Sequence, residues 1–201
     1  MPRVVVTGMG MISPLGADLP RSMGALFEGQ RGIRPLSLFS LPGARSKLAA
    51  EAVGLEQGEI AARTDALAVQ AAREALRNAR LDPALYPIDL VVGGTTAGMF
   101  ETEELLTQLG NVDLTEALEV RLRTHPLSST ADRLCEHAGP FASARTICCA
   151  CTSGVAALAL AYAWIHTGRA ARVLAGGADA LCRLTYSGFG CLAVLDPAEC
   201  R

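Results

Sequence analysis

The spacing of apolar runs predicts an α/β protein whose mainly parallel sheet is covered by helices on both faces. Four short β-like runs, at residues 3–8, 88–92, 144–149 and 172–177, alternate with longer helical patterns. Half of the 201 residues are hydrophobic, only 4% are aromatic, and Ala and Gly are abundant, which suits small residues packed between layers. The length is enough for one good-sized domain with a substantial core, 1–201.

The elements follow in order. RVVVTGMGMISPLG reads as a buried strand ending in a Gly-rich turn. Gly8 and Gly10 do not begin a dinucleotide fingerprint, because the third glycine would fall at Ser13 and no acidic residue closes a second strand about 20 residues on. Residues 18–30 suggest a helix, and 31–57, with their Gly and Pro, an irregular surface stretch. ARTDALAVQAAREALRNAR, roughly 62–80, is an amphipathic helix with Thr64 as its expected N-cap. Strand 88–92 leads into the small-residue turn Gly93–Gly98, and 99–122 reads as helical with charges on an exposed face. Ser129 to His137 reads as a short helix and ARTICC, 144–149, as a strand, followed by a long apolar helix and the strand RVLAGG.

Bulk properties exclude several classes. The net charge of −2 leaves no electrostatic footprint for nucleic acid or an anionic membrane. The longest apolar run, Val155 to Ile165, has 11 residues, against the ~20 of a membrane span, and reads as a core helix. No secretory signal is expected, since Met1-Pro2-Arg3 runs straight into Val4-Val5-Val6. Seven cysteines without a secreted-scaffold spacing read as reduced thiols of a cytoplasmic protein.

CCACTSGVAALALAYAW, residues 148–164, carries the chemistry. Cys151 follows a strand and opens a helix, with Thr152-Ser153-Gly154 allowing a tight turn. Helix N-terminal amides favour an anion, so a thiolate there is a better nucleophile, and its own N–H can face an oxyanion. The plain alternative is a small core residue, the usual fate of a cysteine beside an apolar helix. A metal is not expected: Cys148, Cys149 and Cys151 point to alternate faces of a strand and turn, and Cys182, Cys191 and Cys200 are too scattered to form a second pair. Gly-x-Ser-x-Gly is absent around Ser153, and His125, His137 and His166 have no evident tie to Cys151.

Taken together, these stretches resemble the N-terminal half of a β-ketoacyl synthase, a condensing enzyme of fatty-acid and polyketide synthesis. The resemblance covers most of the chain: RVVVTGMGMISPLG, DALAVQAAREAL with VVGGTTAGM, HPLSSTADRL with Gly139-Pro140, ACTSGVAALALA, and VLAGGADALCRLTYSGFGCLAVLDPAECR, in that order. It implies a thiolase-like fold, a layered mixed sheet with helices on both faces, of which this chain is the N-terminal half, ending before the C-terminal one. It implies Cys151 as nucleophile, taking an acyl group from an acyl carrier protein before a malonyl thioester loses CO₂ and its carbanion attacks. Phe189, in Ser187-Gly188-Phe189-Gly190, resembles an acyl-pocket residue, with a core aromatic as the alternative; Thr96 and Met99 are further pocket candidates.

The resemblance further implies no resident cofactor, since phosphopantetheine arrives on the carrier protein. It implies a homodimer or a heterodimer of synthase with chain-length factor, in which the position of Cys151 favours the condensing subunit. The catalytic histidines of the family are expected beyond residue 201, and the chain alone is expected to condense poorly. Two other readings remain: a non-catalytic half-domain acting as a dimer partner, and a thiolase using coenzyme A thioesters.

Overall fold

The computed structural model describes residues 3–55, 60–108 and 116–198. The chain divides into two compact units, Met1–Gly10 with Glu56–Ala180, and Met11–Leu55 with Leu181–Arg201.

The first unit is built on three parallel strands, β3 (Asp89–Gly93), β4 (Ser143–Ile147) and β5 (Val173–Gly177), in the order β4-β3-β5. Gly93 stands opposite Ile147 on one side and Gly177 on the other. The central β3 is a continuous apolar run because both its faces are covered. Leu90 and Val92 face one core, with Val69, Ala72 and Leu76 of α2 (Arg63–Ala79) and Ala131 and Leu134 of α5 (Ser129–Ala138). Val91, one residue out of step, faces the other core with Ala157 and Trp164 of α6 (Ser153–His166). The guanidinium of Arg169 lies 4.0 Å from the centre of the Trp164 ring. The expected helix at 99–122 is two helices, α3 (Met99–Gln108) and α4 (Glu116–Leu122); residues 109–115 lie outside the described residues.

Two expectations fail here. Val4–Val6 form no strand among the described residues; Val5 and Val6 are 62% and 77% exposed. The segment instead lies along α2: Met9 N donates to Asn78 Oδ1 at 3.0 Å, and a Cβ on Gly8 or Gly10 would strike the backbone of Ala79 or Ala75. Apolar β-branched residues made the run strand-like, but a strand also needs a ladder neighbour. Thr64 is not the N-cap of α2. That place is taken by Ala62, with no side-chain cap. Thr64 is buried, its Oγ1 donating to Ala97 O at 2.5 Å and accepting from Ala180 N at 3.1 Å.

In the second unit α1 (Leu19–Phe27) begins at the N-cap Asp18, whose carboxylate accepts from Arg21 N at 2.8 Å. The stretch expected to be irregular contains a short antiparallel pair, β1 (Arg34–Pro35) and β2 (Leu48–Ala49). Phe39 is buried there, edge-on to Tyr186 of α7 (Arg183–Cys191), and Tyr186 donates its hydroxyl to Leu48 O at 2.9 Å. Among the described residues no helix is long and apolar enough to cross a membrane.

Candidate active site at the end of strand β4

The polypeptide leaves β4 at Ile147 and enters α6 at Ser153. The five residues between make an elbow at the C-terminal edge of the sheet, where parallel α/β sheets place their ligands. β4 is shorter than expected, so Cys148 and Cys149 lie beyond it, and Cys151 precedes the helix by two positions, with Thr152 as N-cap. Cys148, Cys149 and Cys151 are all exposed. Within this chain Cys151 is exposed, whereas Cys182 is buried.

The elbow is held from within. Ala150 takes a left-handed conformation, φ 49°, unusual for a residue with a Cβ. Thr152 N donates to Cys149 O and Ser153 N to Ala150 O, both at 3.1 Å. The buried hydroxyl of Ser153 closes the loop twice, accepting from Cys149 N at 2.9 Å and donating to Ala150 O at 2.7 Å. Thr152 Oγ1 donates to Cys149 O at 2.7 Å. Strain of this kind persists only where its surroundings enforce it.

Glycines then fix the helix start against the strand ends. A Cβ on Gly93 would overlap the carbonyl of Ser153 and lie 2.7 Å from Gly154 N, and one on Gly177 would lie 3.0 Å from Gly154 Cα. No larger residue permits that approach.

The neighbouring turn after β3 is clamped to the end of β5 by Asp179. Its Oδ1 accepts from Thr95 N and Thr96 N, both at 2.7 Å, and from Thr96 Oγ1 at 2.8 Å; Oδ2 accepts from Thr95 Oγ1 at 3.1 Å. Thr96 and Met99 are thereby brought together, Met99 N donating to Thr96 O at 2.8 Å, on the same sheet edge as Cys151. Thr96 is buried, and its hydroxyl braces the turn. Phe189 lies on α7 in the second unit, 40% exposed. A small, solvent-open cleft is lined by Val92, Ala97, Leu127, Thr130, Thr146 and Ala178 among others, and by none of Thr96, Met99, Phe189 or Cys151.

The histidines are engaged elsewhere. His125 Nδ1 is 3.0 Å from Thr102 Oγ1, His137 Nε2 is 4.0 Å from a Glu136 oxygen, and His166 stacks on Tyr162 at 5.3 Å. Among the described residues no group of three or more His, Cys, Asp or Glu is arranged to hold a metal ion.

Two buried carboxyls lie near the start of α2. Asp65 Oδ1 accepts from Thr130 Oγ1 at 2.7 Å and Glu101 Oε1 from Arg63 N at 2.7 Å. Their second oxygens have no hydrogen-bond partner among the described residues. Burial pushes both carboxyls above the usual carboxylate range, against the hydrogen bonds, which pull them down.

Sequence reasoning missed the Ser153 clasp, the Asp179 clamp and the left-handed Ala150. The glycines at 93, 154 and 177 were a legible signal, since each falls at a strand end or helix start. The hydroxyl and carboxylate clamps carry no such signal, because they act on backbone amides whose position only the fold supplies.

Comparison with known proteins agrees with this geometry. The family profile for the β-ketoacyl synthase N-terminal domain matches residues 1–201. A polyketide β-ketoacyl synthase 1 of Streptomyces halstedii is 32% identical over 98% of this chain and 51% of its own length. The tetracenomycin ketoacyl synthase alpha subunit of Streptomyces glaucescens is 31% identical over 89% of this chain and 46% of its own. Among solved structures, the ishigamide ketosynthase/chain length factor superposes with a TM-score of 0.83 at 26% identity, covering 96% of this chain and 51% of that one. A type II polyketide ketosynthase in complex with its acyl carrier protein gives 0.82 at 25%, covering 98% and 50%. The chain spans about half the length of the relatives it matches. With an α/β sheet layered between helices and a profile match from end to end, the chain belongs to the β-ketoacyl synthase N-terminal domain family.

Proposed function

We propose that this chain is the nucleophile-bearing half of a β-ketoacyl synthase that uses acyl carrier protein thioesters. The observation that carries the reading is the exposed Cys151 on a braced elbow between β4 and α6. The Cys151 thiolate attacks the thioester carbonyl, the carrier's phosphopantetheine thiolate leaves and takes up a proton, and an acyl-Cys151 thioester remains. The amides of Thr152 and Ser153 are used to close the turns, which leaves the Cys151 N–H as the donor towards the developing oxyanion. A malonyl-carrier thioester then loses CO₂, its carbanion attacks the acyl carbonyl, and the Cys151 thiolate departs from a β-ketoacyl product. We assign no acid–base role in that second step to the three histidines here, which contact Thr102, Glu136 and Tyr162. The partners follow from the same reading: an acyl carrier protein, and either a second copy of the synthase or a chain-length factor.

The test is intact-mass spectrometry of the full-length protein mixed with an acyl-carrier thioester. A mass gain of one acyl group, mapped to Cys151 and absent from Cys151→Ala, is expected. No adduct, or one that survives Cys151→Ala, overturns the assignment. Acylation from coenzyme A with none from the carrier turns the reading to a thiolase.

A further inference from the structure

We propose that Cys149 and Cys151 form a reversible disulfide when the protein meets a hydroperoxide, masking the nucleophile while it is oxidised. This rests on the reading of Cys151 as nucleophile. The Cys148-Cys149 pair is otherwise without a role in the elbow, since Cys149 serves it through backbone atoms alone.

Geometry selects Cys149 over Cys148. The chain reverses at Ala150, in its left-handed conformation, and the Thr152 N to Cys149 O bond closes a turn whose central residues are Ala150 and Cys151. Two Cα steps of about 3.8 Å bent through such a turn bring residues two apart within the roughly 4.4–6.8 Å that a disulfide spans. Both side chains are exposed within residues 1–201. The turn that closes from Cys149 O to Thr152 N contains Cys149 and Cys151 and leaves Cys148 outside it.

The chemistry balances with a hydroperoxide as sole oxidant. The Cys151 thiolate attacks the peroxide oxygen, and the O–O bond breaks to give a sulfenic acid and, for hydrogen peroxide, water after protonation. The Cys149 thiol attacks that sulfur, the S–O bond breaks, and a second water leaves. Two thiols lose two electrons and two protons, and the peroxide gains both. A dithiol reverses the bond by exchange. Formation of the disulfide keeps Cys151 off the irreversible branch towards sulfinic acid.

The experiment is peptide mapping of the full-length protein after hydrogen peroxide, with free thiols then capped by iodoacetamide. Trypsin leaves Cys148, Cys149 and Cys151 on one peptide, residues 146–169. The expected peptide carries one cap, on Cys148, in place of three, is otherwise lighter by two hydrogens, and regains all three caps after dithiothreitol. Cys148→Ser retains the disulfide, and Cys149→Ser loses it and accumulates oxygen on Cys151. Three caps after peroxide, a Cys148–Cys149 disulfide with Cys151 capped, or oxygen adducts on wild-type Cys151 with Cys149 capped each overturn the proposal. The readout is a mass and needs no turnover, so failure to acylate the reduced protein tells against the proposed function and leaves this result standing by itself.

Discussion

Helices α2 and α6 cover opposite faces of one three-stranded sheet, and they do so by different means. α2 places Leu67, Val69, Ala72 and Leu76 inward and leaves Arg73, Arg77 and Asn78 towards water, so its own pattern states which side is buried. α6 is apolar around almost its whole circumference. It buries Ala157, Ala161 and Trp164, while Val155, Leu158 and Tyr162 remain 69%, 55% and 53% exposed. Its seat is set by contact at its first turn, where Gly93 and Gly177 admit the backbone of Ser153 and Gly154. The helix that follows the Cys151 elbow is thus aligned by close backbone packing, and the helix on the opposite face by amphipathicity.

The sharpest way to break this comparison is Gly93→Val. Its side chain would displace the start of α6, and we expect a loss of about 3 kcal/mol or more in urea unfolding of the full-length protein. Gly176→Ala, on the neighbouring strand with open space around it, should stay within about 0.5 kcal/mol. Equal effects would show that α6 is not seated by its glycines.

Next in size, Leu90→Ala on the α2 side should cost about 2–5 kcal/mol. A helix apolar all round is a buried one, so Leu158→Ala should cost a similar amount in the full-length protein. A change within about 0.5 kcal/mol there would mean that the outer side of α6 faces water.

Ser153→Ala removes both hydrogen bonds of the clasp and leaves Cys149 N without its acceptor. A loss of about 1–3 kcal/mol is expected, with a fall in the rate of Cys151 acylation under conditions where the variant is folded. Unchanged acylation would show that the clasp braces the fold and not the nucleophile.

The smallest effect lies beneath α2. Asp65 and Glu101 titrate higher when folded than when unfolded, so the stability they lend is complete below the ordinary carboxylate range. It is lost as pH rises through their raised folded values, where the native state holds the extra protons. Asp65→Asn should flatten its share of that decline, by at most about 1.4 kcal/mol per pH unit. An unaltered slope in denaturation measured across pH 4–7 would remove Asp65 as the source.

Much of this was legible in the residues. The parallel sheet, the long apolar helix after Cys151 and the amphipathic α2 follow from periodicity, within a residue or two at β3, α2 and α5. Val4–Val6 misled because β-branched composition reports local preference and says nothing of a ladder partner. Thr64 misled for a related reason: a hydroxyl at a helix start can cap it, yet here the same group joins two loops that are 33 and 116 residues away along the chain. The position of Cys151 was legible through its neighbours Thr152, Ser153 and Gly154. The left-handed turn at Ala150 was not, because an alanine gives no sign of it.

Trp164 is the single tryptophan of these 201 residues, and it sits in the last turn of the helix whose first turn abuts the elbow. Only 5% exposed and roofed by the Arg169 guanidinium, it is an optical reporter in a dry, charged setting. Any event that lifts α6 from the sheet alters the solvent and the cation around this indole together, so the colour and yield of its emission register the docking of α6 without a label.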